Sequence, residues 1–294
     1  MHNNLHVPVM LHETIAALEI QPGSWYVDCT FGQGGHTKAM LERGAKVLAF
    51  DWDAAAIQRG ETTYAQELAA GTLILVHEPF SKLSSVIEPY KQTGMNIMGI
   101  LFDFGTSSPQ LTSGERGFSF LSDGELDMRM DTRLGVQAKD LLAILPEKQL
   151  AQLFSEFGGE HEAKTIAHAI KLSSTPITTT LQLAHLVERS KRERRGHLHP
   201  ATKVFQALRI AVNSELDEIS AALPQALTVV SSGGVIATIS FHEGEDRIAK
   251  TMMREWQEQG NGENTSKKPL TASEEEIASN SNSRSAKLRI FRKN

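Results

Sequence analysis

Cysteine is almost absent from the chain: Cys29 is the single one among 294 residues. That excludes a disulfide framework and any zinc site built on clustered cysteines, and it suits a reducing compartment. No apolar run approaches the roughly 18 residues that a membrane-spanning helix needs. The start, Met1-His2-Asn3-Asn4, lacks both the cationic-then-apolar layout of a secretory signal and the Arg/Ser richness of a transit peptide, so a cytoplasmic protein is expected. An excess of positive charge is missing too: 30 Lys+Arg stand against 35 Asp+Glu, a net of −5. Overall charge alone therefore does not favour nucleic acid. What is present is enough apolar material, 40% of residues, to exclude a wholly disordered chain. At about 150 residues per domain, the length suggests two domains, or one core with a large insertion.

Short apolar runs alternate with helical patterns in the first third. Trp25–Asp28, Lys46–Asp51, Thr72–His77 and Met98–Asp103 read as buried strands. Gly35–Arg43, Ala54–Leu68 and Ser81–Tyr90 read as the helices between them. This alternation implies right-handed crossovers and a parallel sheet covered on both faces. Gly234–Phe241 is a further strand, and Ala286–Phe291 is apolar enough to close the sheet. Between them lie an irregular, glycine-bearing stretch, Ser113–Asp131, and a helical series: Ala138–Leu145, Glu147–Phe157, Glu160–Leu172, Thr180–Ser190 and one long helix, Pro200–Leu223. Thr179 or Thr180 suits a helix cap, and Pro200 a first helical turn. The expected organisation is a discontinuous α/β core, residues 1–112 and 212–294, with an inserted helical domain, residues 113–211. Polar Gln257–Ser285 reads as a mobile surface excursion.

Trp25-Tyr26-Val27-Asp28-Cys29-Thr30-Phe31-Gly32-Gln33-Gly34-Gly35-His36 reads as strand, glycine turn and helix start. Glycines let the backbone turn tightly and approach a nucleotide closely. Asp51 falls near the offset at which a carboxylate meets a ribose hydroxyl pair. The dinucleotide fingerprint is imperfect, because Thr37 stands where its third glycine belongs. Asp28 would also repel a pyrophosphate but receive a cation. S-adenosylmethionine, with a sulfonium, an ammonium and no phosphate, fits these residues better than NAD. A structural turn without ligand is the bland alternative.

Leu101-Phe102-Asp103-Phe104-Gly105-Thr106-Ser107-Ser108-Pro109-Gln110 follows the fourth strand and shares its edge with the glycine turn. An acid, two hydroxyls and a proline beside a methyl donor are similar to the acceptor loop of exocyclic-amine methyltransferases. The amino nitrogen of a base is a poor nucleophile because its lone pair is delocalised into the ring. An acceptor for its N–H draws it towards tetrahedral geometry and takes up positive charge. Asp103 and the carbonyls around Ser107 and Ser108 are the candidates, against the alternative of a polar loop that merely caps the strand.

Val204, Leu208, Ala211, Val212, Glu215, Leu216 and Ile219 form a mainly apolar stripe, read as core. Thr202, Gln206, Arg209 and Asn213 share another face, which suits either a polar ligand or a buried network. Arg189-Ser190-Lys191-Arg192-Glu193-Arg194-Arg195-Gly196-His197 concentrates cations, as does the tail with Arg284, Lys287, Arg289, Arg292 and Lys293. Each is a solvated segment or a phosphate contact; local concentration is how an acidic protein binds RNA. His242 follows the late strand and is structural or functional. Asp123, Glu125, Asp127 and Asp131 fit no calcium-loop pattern, so no metal is expected.

Taken in order, His6-Val7-Pro8-Val9-Met10-Leu11-His12-Glu13, the glycine turn, Ser107-Ser108-Pro109-Gln110-Leu111, Glu115-Arg116-Gly117-Phe118-Ser119-Phe120, Leu126-Asp127-Met128-Arg129-Met130-Asp131, His199-Pro200-Ala201-Thr202, Phe205-Gln206-Ala207-Leu208-Arg209-Ile210, Ile239-Ser240-Phe241-His242, Glu245-Asp246-Arg247 and Arg284-Ser285-Ala286-Lys287-Leu288-Arg289 resemble one family over almost the full length. It is the RsmH (MraW) family of bacterial 16S rRNA (cytosine-N4)-methyltransferases. The resemblance implies S-adenosyl-L-methionine as cofactor, and N4-methylation of one decoding-centre cytidine in the small ribosomal subunit. It implies a Rossmann-like class I methyltransferase core, a mostly parallel sheet with helices on both faces, carrying an inserted helical substrate-recognition domain. Cofactor residues would be Gly32, Gly34, Gly35, His36, Asp51, Phe80, Asp103 and Gln110. Catalytic ones would be Asp103, Ser107, Ser108 and Pro109. RNA contacts would be Arg116, Lys191, Arg192, Arg194, Arg195, His199, Arg209, Asn213, His242 and Arg247. The partner would be 16S rRNA within the small subunit or a late precursor, with a homodimer left open beside a monomer. Glu243-Gly244 depart from the family's Ser-Leu, and Gly159, His161, Thr165 and His168 from its acid and arginines. A DNA or small-molecule amine methyltransferase, or a non-catalytic ribosome-assembly factor, are the competing readings.

Overall fold

A computed structural model describes residues 8–105, 116–191 and 199–294. The chain divides into two compact units, Met1–Gly105 with Leu216–Asn294, and Thr106–Glu215. The second begins seven residues earlier and ends four later than the expected insertion.

The first unit is built on seven strands: β1 (Trp25–Asp28), β2 (Lys46–Phe50), β3 (Leu73–Val76), β4 (Ile97–Asp103), β5 (Val235–Ser240), β6 (Gly262–Asn264) and β7 (Lys287–Lys293). Their order is β3-β2-β1-β4-β5-β7-β6. The first five pair in parallel, and β7 runs antiparallel to both its neighbours. This is the class I methyltransferase arrangement of a Rossmann-like sheet, as expected. Successive strand side chains point to opposite faces, so Tyr26, Val47, Ala49, Leu101 and Ile239 enter one apolar cluster. Val27, Leu48, Phe50, Ile100 and Phe102 enter another. With both faces covered, the strands read as unbroken apolar runs, which is why they were legible. Each such buried side chain contributes about 1.5–3 kcal/mol.

The helices of this unit are α1 (Leu11–Leu18), α2 (Gly35–Leu41), α3 (Ala54–Thr63), α4 (Ala65–Ala69) and α5 (Leu83–Lys91). The second unit contributes α6 (Ala138–Ile144), α7 (Glu147–Gly158), α8 (Ala163–Lys171), α9 (Thr180–Ser190) and α10 (Thr202–Asn213). The chain then returns through α11 (Glu215–Val229), α12 (Glu243–Glu258) and α13 (Glu274–Ser279). No helix among the described residues is long and apolar enough to cross a membrane. Thr179, not Thr180, caps α9, exchanging bonds with Gln182 in a capping box.

Four expectations are corrected. The helix expected over Ala54–Leu68 breaks at Tyr64 (φ −112°, ψ 32°). The long helix expected over Pro200–Leu223 is two helices, parted at Ser214 in left-handed backbone (φ 49°). Asn213 and Ser214 are short polar residues that hydrogen-bond locally and so tolerate such a break, while the apolar stripe continues on either side and hides it. Helix α1 was not expected. Finally, residues 257–285 are no loose excursion: they hold β6 and α13 and bury Ala272 and Ser283.

Helix α12 is clamped to β7 by Asp246, whose two oxygens accept from Arg289 at 2.7 and 3.1 Å, with Lys287 at 3.4 Å. Four of the tail cations thus have internal partners, for Arg292 also pairs with Glu19 and Lys293 donates to the carbonyls of Leu227 and Val230. Burial alone would raise the Asp246 carboxyl, but the Arg289 guanidinium, with Lys287 behind it, holds it below its ordinary value. Asp246→Ala, which leaves Arg289 unpaired, should cost about 3 kcal/mol in urea unfolding at neutral pH. Because the folded value is the lower one, the wild-type advantage should be complete above about pH 5 and fade below about pH 4.

Candidate active site

All five parallel strands end on one edge of the sheet, and the turns leaving that edge carry the candidate chemistry. After β1 the chain reverses through Gly32 (φ 54°) and Gly34 (φ 76°), left-handed positions that suit glycine. A Cβ on Gly34 would lie 2.8 Å from the Tyr64 hydroxyl and 2.9 Å from the Phe31 ring. That hydroxyl, on the residue at which the expected helix breaks, donates to the Gly34 carbonyl at 2.9 Å. Nothing in the sequence signalled this residue, thirty positions from its partner.

Three carboxylates meet at the edge. Asp28, buried at the end of β1, accepts from the Thr30 N–H at 3.1 Å and the Thr37 hydroxyl at 2.7 Å. Thr37, where the dinucleotide pattern wants glycine, therefore has a partner of its own. Asp51, following β2, accepts from the N–H groups of Gly32 and Asp53, each at 2.8 Å. Asp103, ending β4, donates its N–H to the Thr30 hydroxyl at 2.8 Å, tying the end of β4 to the glycine turn. Among the described residues its buried Oδ1 finds no hydrogen-bond partner, and His36 Nδ1 lies 3.7 Å from Oδ2.

Burial is the main influence on all three, and Asp28 adds to the rise at Asp51 and Asp103. Burial raises the Asp28 carboxyl, against the pull of the Thr37 and Thr30 bonds. Burial pushes Asp51 up to about 6, with Asp53 and Asp28 adding to the rise. Asp103 is held well above the usual carboxylate range by burial, then by the charges of Asp28 and Glu245. No Lys or Arg among the described residues contributes to any of the three shifts. The edge is acidic and suits a cation. Phe80 is buried among aromatic rings that neighbour Asp51 and Asp103 in the chain, with centroids 6.1 Å from Trp52, 5.7 Å from Phe102 and 6.3 Å from Phe104. Cys29 is buried and its thiol is pushed up, so it is no nucleophile.

At the end of β5, His242 caps α12: its Nδ1 accepts from the Gly244 N–H at 3.2 Å. Glu245, fully buried, accepts from the N–H groups of Phe241 and His242 at 2.7 and 3.2 Å, and its other oxygen lies 3.1 Å from His242 Nε2. Glu243 and Gly244 thus continue a regular first helical turn despite their departure from the family pattern. Glu245 was quoted in the resemblance without a role; its capping geometry, a His and a Glu three apart, was there to be read. Arg247 is exposed on the same helix.

In the second unit, the Arg209 and Asn213 end of the polar face of α10 joins an internal network. Asn213, 3% exposed, donates to the carbonyls of Met128 and Arg209 and accepts from the Met130 N–H. Arg209 makes a two-pronged pair with Glu215 at 2.7 and 2.8 Å. Arg116 donates to the carbonyls of Arg129 and Met130. Lys191 meets Glu160 at 2.7 Å and the Pro200 carbonyl at 2.6 Å. His199 lies 2.9 Å from Glu188 and stacks on Phe120 with centroids 4.3 Å apart. These five expected RNA contacts all have internal partners. The acids once weighed as a metal cluster are likewise partnered: Asp127 with Arg129, Asp131 with Arg133, Glu125 with Lys139, and Asp123 with the Leu181 N–H. Ser107, Ser108, Pro109, Gln110, Arg192, Arg194 and Arg195 lie outside the described residues.

A family model described as the MraW methylase family matches residues 3–294. A protein of Rhodopseudomonas palustris is 42% identical over 97% of this chain and 89% of its own length. One of Acidobacterium capsulatum is 42% identical over the whole of both chains, and one of Alteromonas mediterranea 41% identical over 98% of this chain and 97% of its own. Each of the three is named ribosomal RNA small subunit methyltransferase H.

Gly34→Ala would place a β-carbon in left-handed backbone against Tyr64 and Phe31, and should lower stability by about 2 kcal/mol. A thermal or urea unfolding midpoint equal to wild type would mean the turn is not as described.

Proposed function

We infer the reaction from two facts: this chain belongs to the MraW methylase family, and its sheet edge gathers carboxylates that no described cation neutralises. The protein is an S-adenosylmethionine-dependent methyltransferase that methylates N4 of one cytidine in 16S rRNA, at the decoding centre of the small subunit. The observation that carries the reading is the acidic edge beside the glycine turn. It disfavours a pyrophosphate and suits a ligand bearing a sulfonium and an ammonium. The space that a Cβ would need at Gly34 is already filled by Tyr64 and Phe31, so the shape of the turn requires glycine there.

When bound, the donor supplies a methyl group on positively charged sulfur, an electrophile for a weakly nucleophilic amine. Asp51 holds the ribose, for its oxygens, already oriented by the Gly32 and Asp53 N–H groups, have lone pairs left to accept hydroxyls. Gly32, Gly34, Gly35 and His36 shape the methionine end, and Phe80 packs on the adenine. Asp103 accepts an N–H from the target amine through its open oxygen. Its raised proton affinity lets it take the proton that the nitrogen releases. Ser107, Ser108, Pro109 and Gln110 complete the loop on the sequence pattern alone. The target base leaves its stack at a cost of a few kcal/mol. RNA recognition belongs to the unit Thr106–Glu215 and to exposed Arg247, with Arg192, Arg194 and Arg195 as phosphate contacts.

Small-subunit rRNA from cells with this protein should contain one N4-methylated cytidine by nucleoside mass spectrometry, and rRNA from cells without it none. Asp103→Ala should lower transfer by about 10²–10³-fold while the circular dichroism spectrum persists; full turnover would remove Asp103 from the mechanism. Methylation of DNA in place of small-subunit RNA would overturn the substrate.

Donor binding should follow the ionisation of the edge. Asp51 is charged above about 6, so calorimetric affinity for S-adenosylmethionine should fall as pH drops from about 8 to about 5, by up to about tenfold for this group. Asp51→Asn should bind weakly at both ends with a flatter profile. Without donor the sign reverses: the raised folded value means the ionised carboxylate costs stability as pH rises from about 4 to about 6.

A further inference from the structure

One contact joins the two ends of the chain beside the proposed donor site. Pro8 lies on the first turn of α2, where a Cβ on Gly35 would come 2.1 Å from Pro8 Cγ. The proline ring therefore fills the space that a side chain would occupy. Two residues on, Met10 is fully buried and held in left-handed backbone at φ 51°, ψ 38°. Such backbone is unfavourable for a residue with a Cβ and persists only where neighbours over-determine it. The neighbour here is distant in sequence: the Met10 N–H donates to Glu276 Oε1 at 2.7 Å across 266 positions. Glu276 sits on α13, whose N-terminus is capped by Ser273. Ala272, Ile277 and Ala286 from this segment join the same apolar cluster as Val9, Met10 and Phe31.

We propose that Glu276, by holding Met10, keeps Pro8 seated on Gly35 and thereby fixes the glycine turn in the shape that receives the donor. Glu276 is a positioning residue for donor binding, and it acts through the Pro8–Met10 segment without touching the ligand. This rests on the donor site proposed above. Without the bond, Met10 is free to leave its left-handed backbone, Pro8 withdraws, and Gly34, Gly35 and His36 spread over more conformations. Donor binding must then restore the order, which weakens affinity by the fraction of molecules still competent. Once the donor is bound, the turn is the same, so the rate at saturation is unaffected.

The test uses the full chain with S-adenosylmethionine, followed by calorimetry and by steady-state transfer to small-subunit RNA. Glu276→Ala should raise the donor Kd and KM by about tenfold, with kcat at saturating donor and the KM for RNA close to wild type. Glu276→Gln keeps an acceptor oxygen for the Met10 N–H and should restore wild-type affinity. Pro8→Gly removes the ring while leaving the Met10 bond in place, and should reproduce the Glu276→Ala loss even if that variant folds poorly. Wild-type donor affinity in Glu276→Ala or in Pro8→Gly would overturn the proposal, as would a Glu276→Gln variant as impaired as the alanine. A wild-type protein that binds no donor would instead overturn the donor site itself.

Discussion

Carboxylates converge where β1, β2 and β4 end, and the burial of Asp28, Asp51 and Asp103, with the charge of Asp28 acting on the other two, is the constraint that organises the site. A group of buried acids is tolerated only where hydrogen bonds or a counter-charge stabilise the ionised forms. The fold provides the first part of that requirement: backbone N–H groups of Gly32, Asp53 and Thr30 and the hydroxyl of Thr37 point at Asp51 and Asp28. No Lys or Arg among the described residues contributes the second part. The glycines follow from the same geometry, since Gly32 must turn its N–H towards Asp51 in left-handed backbone. Thr30 then links Asp103, at the end of β4, to this turn by one hydrogen bond.

In the unit Thr106–Glu215 several described charges are instead paired with one another, as Arg129 with Asp127, Lys191 with Glu160 and Arg209 with Glu215. Asp127 holds Arg129 with both oxygens while also accepting from Gln137. Asn213 uses its donor and its acceptor on the Met128–Met130 backbone. Met128 itself is left-handed at φ 64°, and this network keeps it so. Residues that look like an RNA-binding face on a helical wheel thus form the polar skeleton of an irregular loop. A stripe of amide and guanidinium groups signals that polar partners exist; it does not say whether they are backbone or ligand.

Much of this was legible from order and spacing. The five parallel strands were, because burial on both faces makes them unbroken apolar runs, and the acids at their ends were, because strand-end position needs only the strand boundary. The Thr179 cap was narrowed to two adjacent residues. The break at Ser214 was not legible, since periodicity continues across a single left-handed residue. Residues 257–285 were misread because few of their side chains are apolar. They are ordered by Asn264 and Ser273 hydrogen bonds and by a handful of buried contacts such as Ala272.

By itself the sequence determined the strand-and-turn order, the acids at the strand ends and the family, because these depend on local pattern and on motifs in series. Only the tertiary structure decided which polar groups find internal partners. Tyr64 with Gly34, Arg209 with Glu215 and Glu276 with Met10 are pairings in space. Side chains of the same type are committed or free according to what lies opposite them, and chain order does not encode that.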